Sequence, residues 1–195
     1  MRRISAIMAG LVTVAALAGC TTGDKAAQET PAYTVVRSQD KFEIRDYRPQ
    51  LWAVHTERGT YRSAVEDGYI RLERYFTGKN SVPEAIPMKP PVMVRDDGGG
   101  SWTTMLPMPA TYTLKDAPQP DDRRIRVVEL PARRVAVVKF NGDLGEAVLR
   151  EQAARLDAWL KAKGIAHKKD FTMARLDPPW EPAAWRNNEV LVTLE

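Results

Sequence analysis

The pattern of apolar and polar positions divides the chain into three parts. A mostly apolar run extends from Ile4 to Ala18, and a polar, small-residue stretch covers 21–32. From Tyr33 onward short alternating and helical patterns follow one another to the C-terminus. Within the third part, alternation over 42–47 puts Phe42 and Ile44 on one strand face and Glu43 and Arg45 on the other. Pro49 and a second strand at 51–58 complete a predicted hairpin. Next comes a predicted helix over 61–77, with Val65, Tyr69, Leu72 and Phe76 at helical spacing and Gly78 as its stop; Glu66, Glu73 and Arg74 lie opposite.

The pattern then recurs. At an offset of 83 residues Ile44 meets Val127, Ala53 meets Ala136, Val54 meets Val137 and Gly59 meets Gly142, and Ala64-Val65 meets Ala147-Val148. The second half therefore predicts a hairpin at 125–130 and 134–141, turning at Pro131-Ala132. A helix follows over 144–163, with Leu149, Ala153, Leu156 and Leu160 as its apolar stripe and Gly164 as its end. Asp143, three residues before Glu146, resembles a capping box. Further strands are expected at 102–107, 171–176 and 189–194, with loops at 95–101 and 115–124. Many short strands with one helix per half predict an α+β domain on a curved, barrel-like antiparallel sheet.

Composition narrows the function. The 195 residues, 44% hydrophobic and 28% charged, suit one globular domain with a leader. The formal charge of +4 falls to about +2 once Arg2 and Arg3 leave with residues 1–19. With no RNP, zinc-finger or helix-turn-helix spacing, nucleic acid is not an expected partner. Cys20 is the one cysteine, and His55 and His167 are the only histidines. That inventory excludes an intrachain disulfide and a cysteine-based metal cluster, and disfavours a Cys/His nucleophilic pair.

The start of the chain predicts export. A basic Met1-Arg2-Arg3 precedes an apolar run of about 15 residues, short of the roughly 20 that span a bilayer. Leu17-Ala18-Gly19-Cys20 resembles a bacterial lipobox, which implies a signal peptide at 1–19, a diacylglyceryl Cys20 and a tether at 20–32. Thr21 after the cysteine implies an outer-membrane anchor facing the periplasm. A plain signal peptide cut near Ala18 is the alternative.

Four stretches in order resemble the SOUL haem-binding family across residues 33–195. They are Phe42-Glu-Ile-Arg-Asp-Tyr-Arg-Pro49, Gly68-Tyr-Ile-Arg-Leu-Glu-Arg-Tyr-Phe-Thr-Gly-Lys-Asn80, Ile86-Pro-Met-Lys-Pro-Pro-Val92, and Asp177-Pro-Pro-Trp-Glu-Pro182 followed by Arg186-Asn-Asn-Glu-Val190. The resemblance implies a distorted antiparallel β-barrel of two pseudo-symmetric repeats, each with one α-helix. It also implies a monomeric, non-enzymatic carrier or scavenger of haem or a related tetrapyrrole, a ligand that the fold itself does not require.

A haem site needs a flat apolar slot, a cation for the propionates and, optionally, an axial ligand. The expected slot is Tyr69, Leu72 and Phe76 with Met88 and Met93; core packing is the competing reading for each. Arg74, with Lys79 in reserve, is the expected propionate partner, against a solvated helix-face charge. The resemblance implies an axial histidine after Ile44-Arg45, where this chain has Asp46, a poor haem ligand. His55 is the candidate metal ligand in its place, with Met88 and Tyr47 as substitutes.

Three other functions compete. The repeat architecture also resembles the ligand-binding domain of multidrug-sensing regulators, in which acidic residues such as Glu66 and Glu73 would grip a planar cation. An enzyme is disfavoured: there is no G-x-S-x-G, H-E-x-x-H, P-loop or G-x-G-x-x-G motif. Gly98-Gly99-Gly100 does not open a helix, Asp96-Asp97 and Asp121-Asp122 read as solvated loop acids, and Glu66 is the one candidate general base. A structural envelope lipoprotein would use Trp180 and Trp185 as a protein interface.

Overall fold

The structure, a computed structural model, describes residues 33–178 and 180–195; the expected leader, Cys20 and tether lie outside them. Nine strands and two helices follow in the order β1 (Tyr33–Gln39), β2 (Phe42–Tyr47), β3 (Gln50–Arg58), α1 (Tyr61–Phe76), β4 (Val92–Gly98), β5 (Ser101–Pro107), β6 (Ile125–Leu130), β7 (Arg133–Asn141), α2 (Glu146–Ala162), β8 (Thr172–Arg175) and β9 (Asn187–Thr193). A short 3₁₀ turn, Ala183–Trp185, precedes β9. No described helix is long and apolar enough to cross a membrane.

All strands join one antiparallel sheet in the order β1-β2-β7-β9-β8-β4-β5-β3-β6. Setting β1 aside, exchanging each strand for its counterpart in the other half reverses this order onto itself. The pseudo-twofold therefore passes between β4 and β8. Register agrees: Ile44 faces Ala136 across β2–β7, and their repeat partners Val127 and Ala53 face each other across β6–β3. The expected α+β barrel of two related halves is what the chain forms.

The pairing within it differs from the expected hairpins. β2 and β3, joined only through Arg48-Pro49, do not pair; β2 lies between β1 and β7, and β3 between β5 and β6. Likewise β6 pairs with β3, and β7 with β2 and β9. Each half lends its first strand to the second strand of the other. In a flat sheet β2 and β3 would stand about 29 Å apart, six strand spacings, while their link reaches only about 10 Å. The sheet must therefore curl, and it forms a half-barrel.

The inside of the curl holds Trp52, Val54, Met93, Met105, Val135, Val137 and Leu191. The outer face carries the helices. α1 packs on β3 and β5, and α2 on β7 and β9. Leu72, Tyr75 and Phe76 seal α1 against Leu51, Ala53 and Leu106, and Leu149, Leu156 and Leu160 seal α2 against Ala136, Val138 and Val190. α1 starts at Thr60, whose hydroxyl accepts from the Ser63 amide at 3.3 Å. The capping box expected at Asp143 is not made: Gly145 caps α2 without a side-chain bond, and Asp143 pairs with Arg186 at 2.9 Å. Two strands also depart from expectation. β1 has no predicted counterpart, and β4 runs through 95–98, part of the expected loop, before turning at Gly99-Gly100.

Candidate functional site

Because each helix sits mainly on the strands of its own arm, the central pair β4–β8 runs between them as the floor of a cleft. Alternation decides what points up from it. Val92 stands opposite Arg175 and Val94 opposite Met173. Tyr61, Val65 and Tyr69, at i, i+4 and i+8 on α1, form one wall, with Arg62, Glu66 and Ile70 above them and Leu144 across. The Tyr61 ring is held edge-on to Trp102, centroids 5.1 Å apart. This lobe encloses about 330 Å³.

A second lobe of about 340 Å³ continues from it, sharing Tyr69, Val92 and Arg175 and adding Met88, Pro90, Leu106, Pro178 and Trp180. Each volume is within the roughly 300–1,000 Å³ of small-molecule sites. Apolar side chains at the rim stay wet: Ile70 is 43% exposed, Met88 40% and Trp180 82%. A Trp so exposed beside a cleft is unusual for packing and ordinary for a contact surface.

The charges are placed unevenly. Arg175 is half-buried at the junction of the lobes, and among the described residues no carboxylate pairs with it. Burial raises the Tyr61 phenol above the ordinary tyrosine value, an effect that Arg175 partly offsets. Burial and then Glu73 raise Tyr69, again against Arg175. Both phenols therefore stay protonated at neutral pH and can donate. Glu66 and Arg62 stand exposed above the first lobe.

The expected site residues separate. Tyr69 lines both lobes and Met88 the second. Leu72 and Phe76, 0% and 1% exposed, are on the face of α1 turned to the sheet, and Met93 points into the half-barrel. These three are core, because the stripe that buries a helix cannot also face a cleft. Arg74 is exposed in the last turn of α1 and lines neither lobe, nor does Lys79. Lys89, which touches the second lobe, was not expected.

His55 is 1% exposed on the opposite flank of α1, beside Glu57, Asp67 and the Arg124 carbonyl, so it does not reach the cleft. Asp46 on β2 pairs with Arg134 on the neighbouring β7, and Tyr47 faces the half-barrel core. Asp96 and Asp97 hold the β4–β5 turn and its flank, and Asp122 clamps Arg71 and Arg124. Trp185 is 69% exposed.

Arg175 is the residue that sequence reasoning missed. Its signal was legible: Phe171, Met173 and Arg175 share one strand face, and an arginine continuing an apolar row implies a partner for the charge.

Comparison with known proteins agrees with this architecture. Heme-binding protein 2 of Homo sapiens is 28% identical over 181 residues, covering 86% of this chain and 87% of its own length. Heme-binding protein 2 of Mus musculus is 27% identical over 176 residues, covering 84% and 85%. The solved EcmrR C-terminal domain superposes with a TM-score of 0.60 at 12% identity, covering 84% of this chain and 98% of that one, a likeness of fold. Residues 28–193 match the family described as SOUL heme-binding protein, and the chain belongs to that family.

Proposed function

We propose that the protein is a non-enzymatic carrier of haem or a related tetrapyrrole, held in the cleft between the helices, and that Cys20 tethers it to the bacterial envelope. The observation that carries the ligand reading is Arg175, a guanidinium with no carboxylate partner among the described residues, at the junction of two lobes lined mostly by apolar side chains, with Arg62, Glu66, Lys89 and Asp177 also at their walls. A flat apolar ring bearing acid groups supplies what that arrangement lacks: surface for Tyr61, Val65, Tyr69 and Val92, and an anion for Arg175. Such a charge-assisted pair is stronger than a neutral hydrogen bond. The names of the human and mouse relatives support the same ligand class. Within the cleft Met88 and Tyr69 offer the sulfur and phenol donors an iron could use.

Titration of the purified full chain with haemin, followed through the Soret band, tests this. Saturation at one equivalent is expected, and Arg175→Ala should weaken binding about tenfold or more, as the loss of a hydrogen bond to a charged group does. An unchanged spectrum, or an Arg175→Ala variant equal to the parent, defeats the reading.

A second reading rests on Glu66, whose carboxylate stands over the first lobe. If it governs selection, planar cations bind in preference to planar anions. Glu66→Gln would then abolish that preference.

A further inference from the structure

We propose that His55, Glu57 and Asp67 form a divalent-cation site suited to zinc, on the flank of α1 away from the cleft. His55 and Glu57 project from one face of β3, and Asp67 reaches them from the second turn of α1. The His55 Nε2 lies 3.3 Å from Glu57 Oε2 and 3.8 Å from Asp67 Oδ2, and the three donor atoms all lie within 4.8 Å of one another. Ligands about 2.0–2.1 Å from a tetrahedral zinc stand about 3.4 Å apart, so the imidazole is already at coordination distance from its neighbours. Both carboxylates are partly exposed, so small rotations can close them on an ion.

The imidazole is oriented for this task. Its Nδ1 lies 3.3 Å from the Arg124 carbonyl oxygen, which can only accept. Nδ1 therefore carries hydrogen, and Nε2 faces two carboxylate oxygens. Either a proton on Nε2 or a metal ion in its place meets those oxygens. A backbone carbonyl holding the far nitrogen is also the usual outer support of a metal-bound histidine.

The surrounding charge is compatible with a bound cation. Arg71 bridges Asp67 at 2.6 Å and Asp122 at 2.8 Å, and Arg124 takes the other oxygen of Asp122 at 3.0 Å. Arg58 meets Glu57 through its backbone amide. Leaving the imidazole aside, Glu57, Asp67 and Asp122 outnumber Arg71 and Arg124 by one negative charge, which a bound cation would offset. Space is kept beside the ring as well: a Cβ on Gly68 would fall 2.7 Å from Thr104 Oγ1 and 3.5 Å from the His55 ring. Thr104 Oγ1, buried beside His55, has no hydrogen-bond partner among the described residues.

The test uses the purified full chain, stripped with chelator and titrated with zinc by calorimetry and with cobalt by its visible ligand-field bands. One equivalent at micromolar or tighter affinity is expected, with cobalt bands of low coordination number. His55→Gln and Glu57→Gln should each weaken binding by more than about tenfold, and His167→Gln should leave it unchanged. Glu57 is at the surface, so its variant isolates ligand loss from any folding defect of the buried histidine change. No binding, or binding that survives both substitutions, overturns the site; loss only in His167→Gln assigns the metal to the His167–Asp157 pair instead. Haemin binding is read separately and need not change in any of these variants.

Discussion

Arg45 on β2 and Glu189 on β9, 144 residues apart, close a two-pronged ion pair inside the half-barrel, with nitrogen–oxygen distances of 2.7 and 2.6 Å. Neither touches water appreciably, at 1% and 6% side-chain exposure. Glu43 joins on the other side of Arg45, and Lys139 bonds to Glu43, so two cations balance two anions. Tyr33 lies under the guanidinium, 4.2 Å from ring centre to Cζ.

Removing one partner of that pair strands the other. Arg45→Met should cost about 3–5 kcal/mol, the usual penalty for an uncompensated buried charge. Denaturant unfolding measures it. A loss under about 1 kcal/mol would show that water reaches Glu189 in solution.

Alkaline pH should weaken the fold through two buried phenols. Burial pushes Tyr47 up to about 12, against an opposing pull from Arg45. Burial pushes Tyr75 up to about 12 as well, and its hydroxyl donates to the Pro118 carbonyl at 2.7 Å. Between the unfolded value near 10 and the folded values, the unfolded chain holds fewer protons than the native one. Stability is therefore intact below about pH 10 and declines as pH rises toward 12. Phenolate absorbance and circular dichroism should change together. Phenolate forming in these two residues near pH 10 without unfolding contradicts the prediction.

Acid should act through Asp122. Hydrogen bonds from Arg124, then from Arg71, hold its carboxyl well below the ordinary value against a smaller effect of burial. A depressed carboxylate stabilises the fold above the unfolded value near 3.9 and loses that contribution as pH falls further. Asp122→Asn should lower the melting temperature at pH 7 and flatten its decline below pH 4.

Gly68 should resist the usual helix improvement. Gly→Ala inside a helix ordinarily gains up to about 1 kcal/mol, but the added carbon would meet Thr104 Oγ1 at 2.7 Å and Thr104 Cβ at 3.0 Å. Gly68→Ala is expected to destabilise by about 1–3 kcal/mol, as overpacking does. Adding Thr104→Ala should recover most of that loss, and additive costs would refute the contact.

Core and cleft should separate by substitution on the same helix. Leu72→Ala, at 0% exposure, should cost about 2–5 kcal/mol of stability while leaving intrinsic haemin affinity within a few-fold of the parent. Tyr69→Ala should do the reverse.

How much was legible can be judged residue by residue. The 83-residue offset placed β2 on β6 and β3 on β7 to the residue, since Phe42–Tyr47 maps onto Ile125–Leu130 and Gln50–Arg58 onto Arg133–Asn141. Local spacing likewise located both helices, because apolar periodicity and a stopping glycine act within a few residues. It could not say which strands pair. Pro49 serves a hairpin or a corner equally well, and the choice depends on Ala136 and Val127 arriving from the other half.

The cleft was half legible for a related reason. Tyr69 and Leu72 belong to one hydrophobic stripe in sequence, yet one edge of that stripe overhangs the gap at β4–β8 while its centre is sealed on β3 and β5. The sequence by itself determined the repeat, both helices, most of the strands and the family, because periodicity and motif order are properties of the linear chain. Only tertiary structure decided that Arg175 meets Tyr69 while His55 meets Asp67 on the other flank, because strand exchange between halves sets which faces a helix covers.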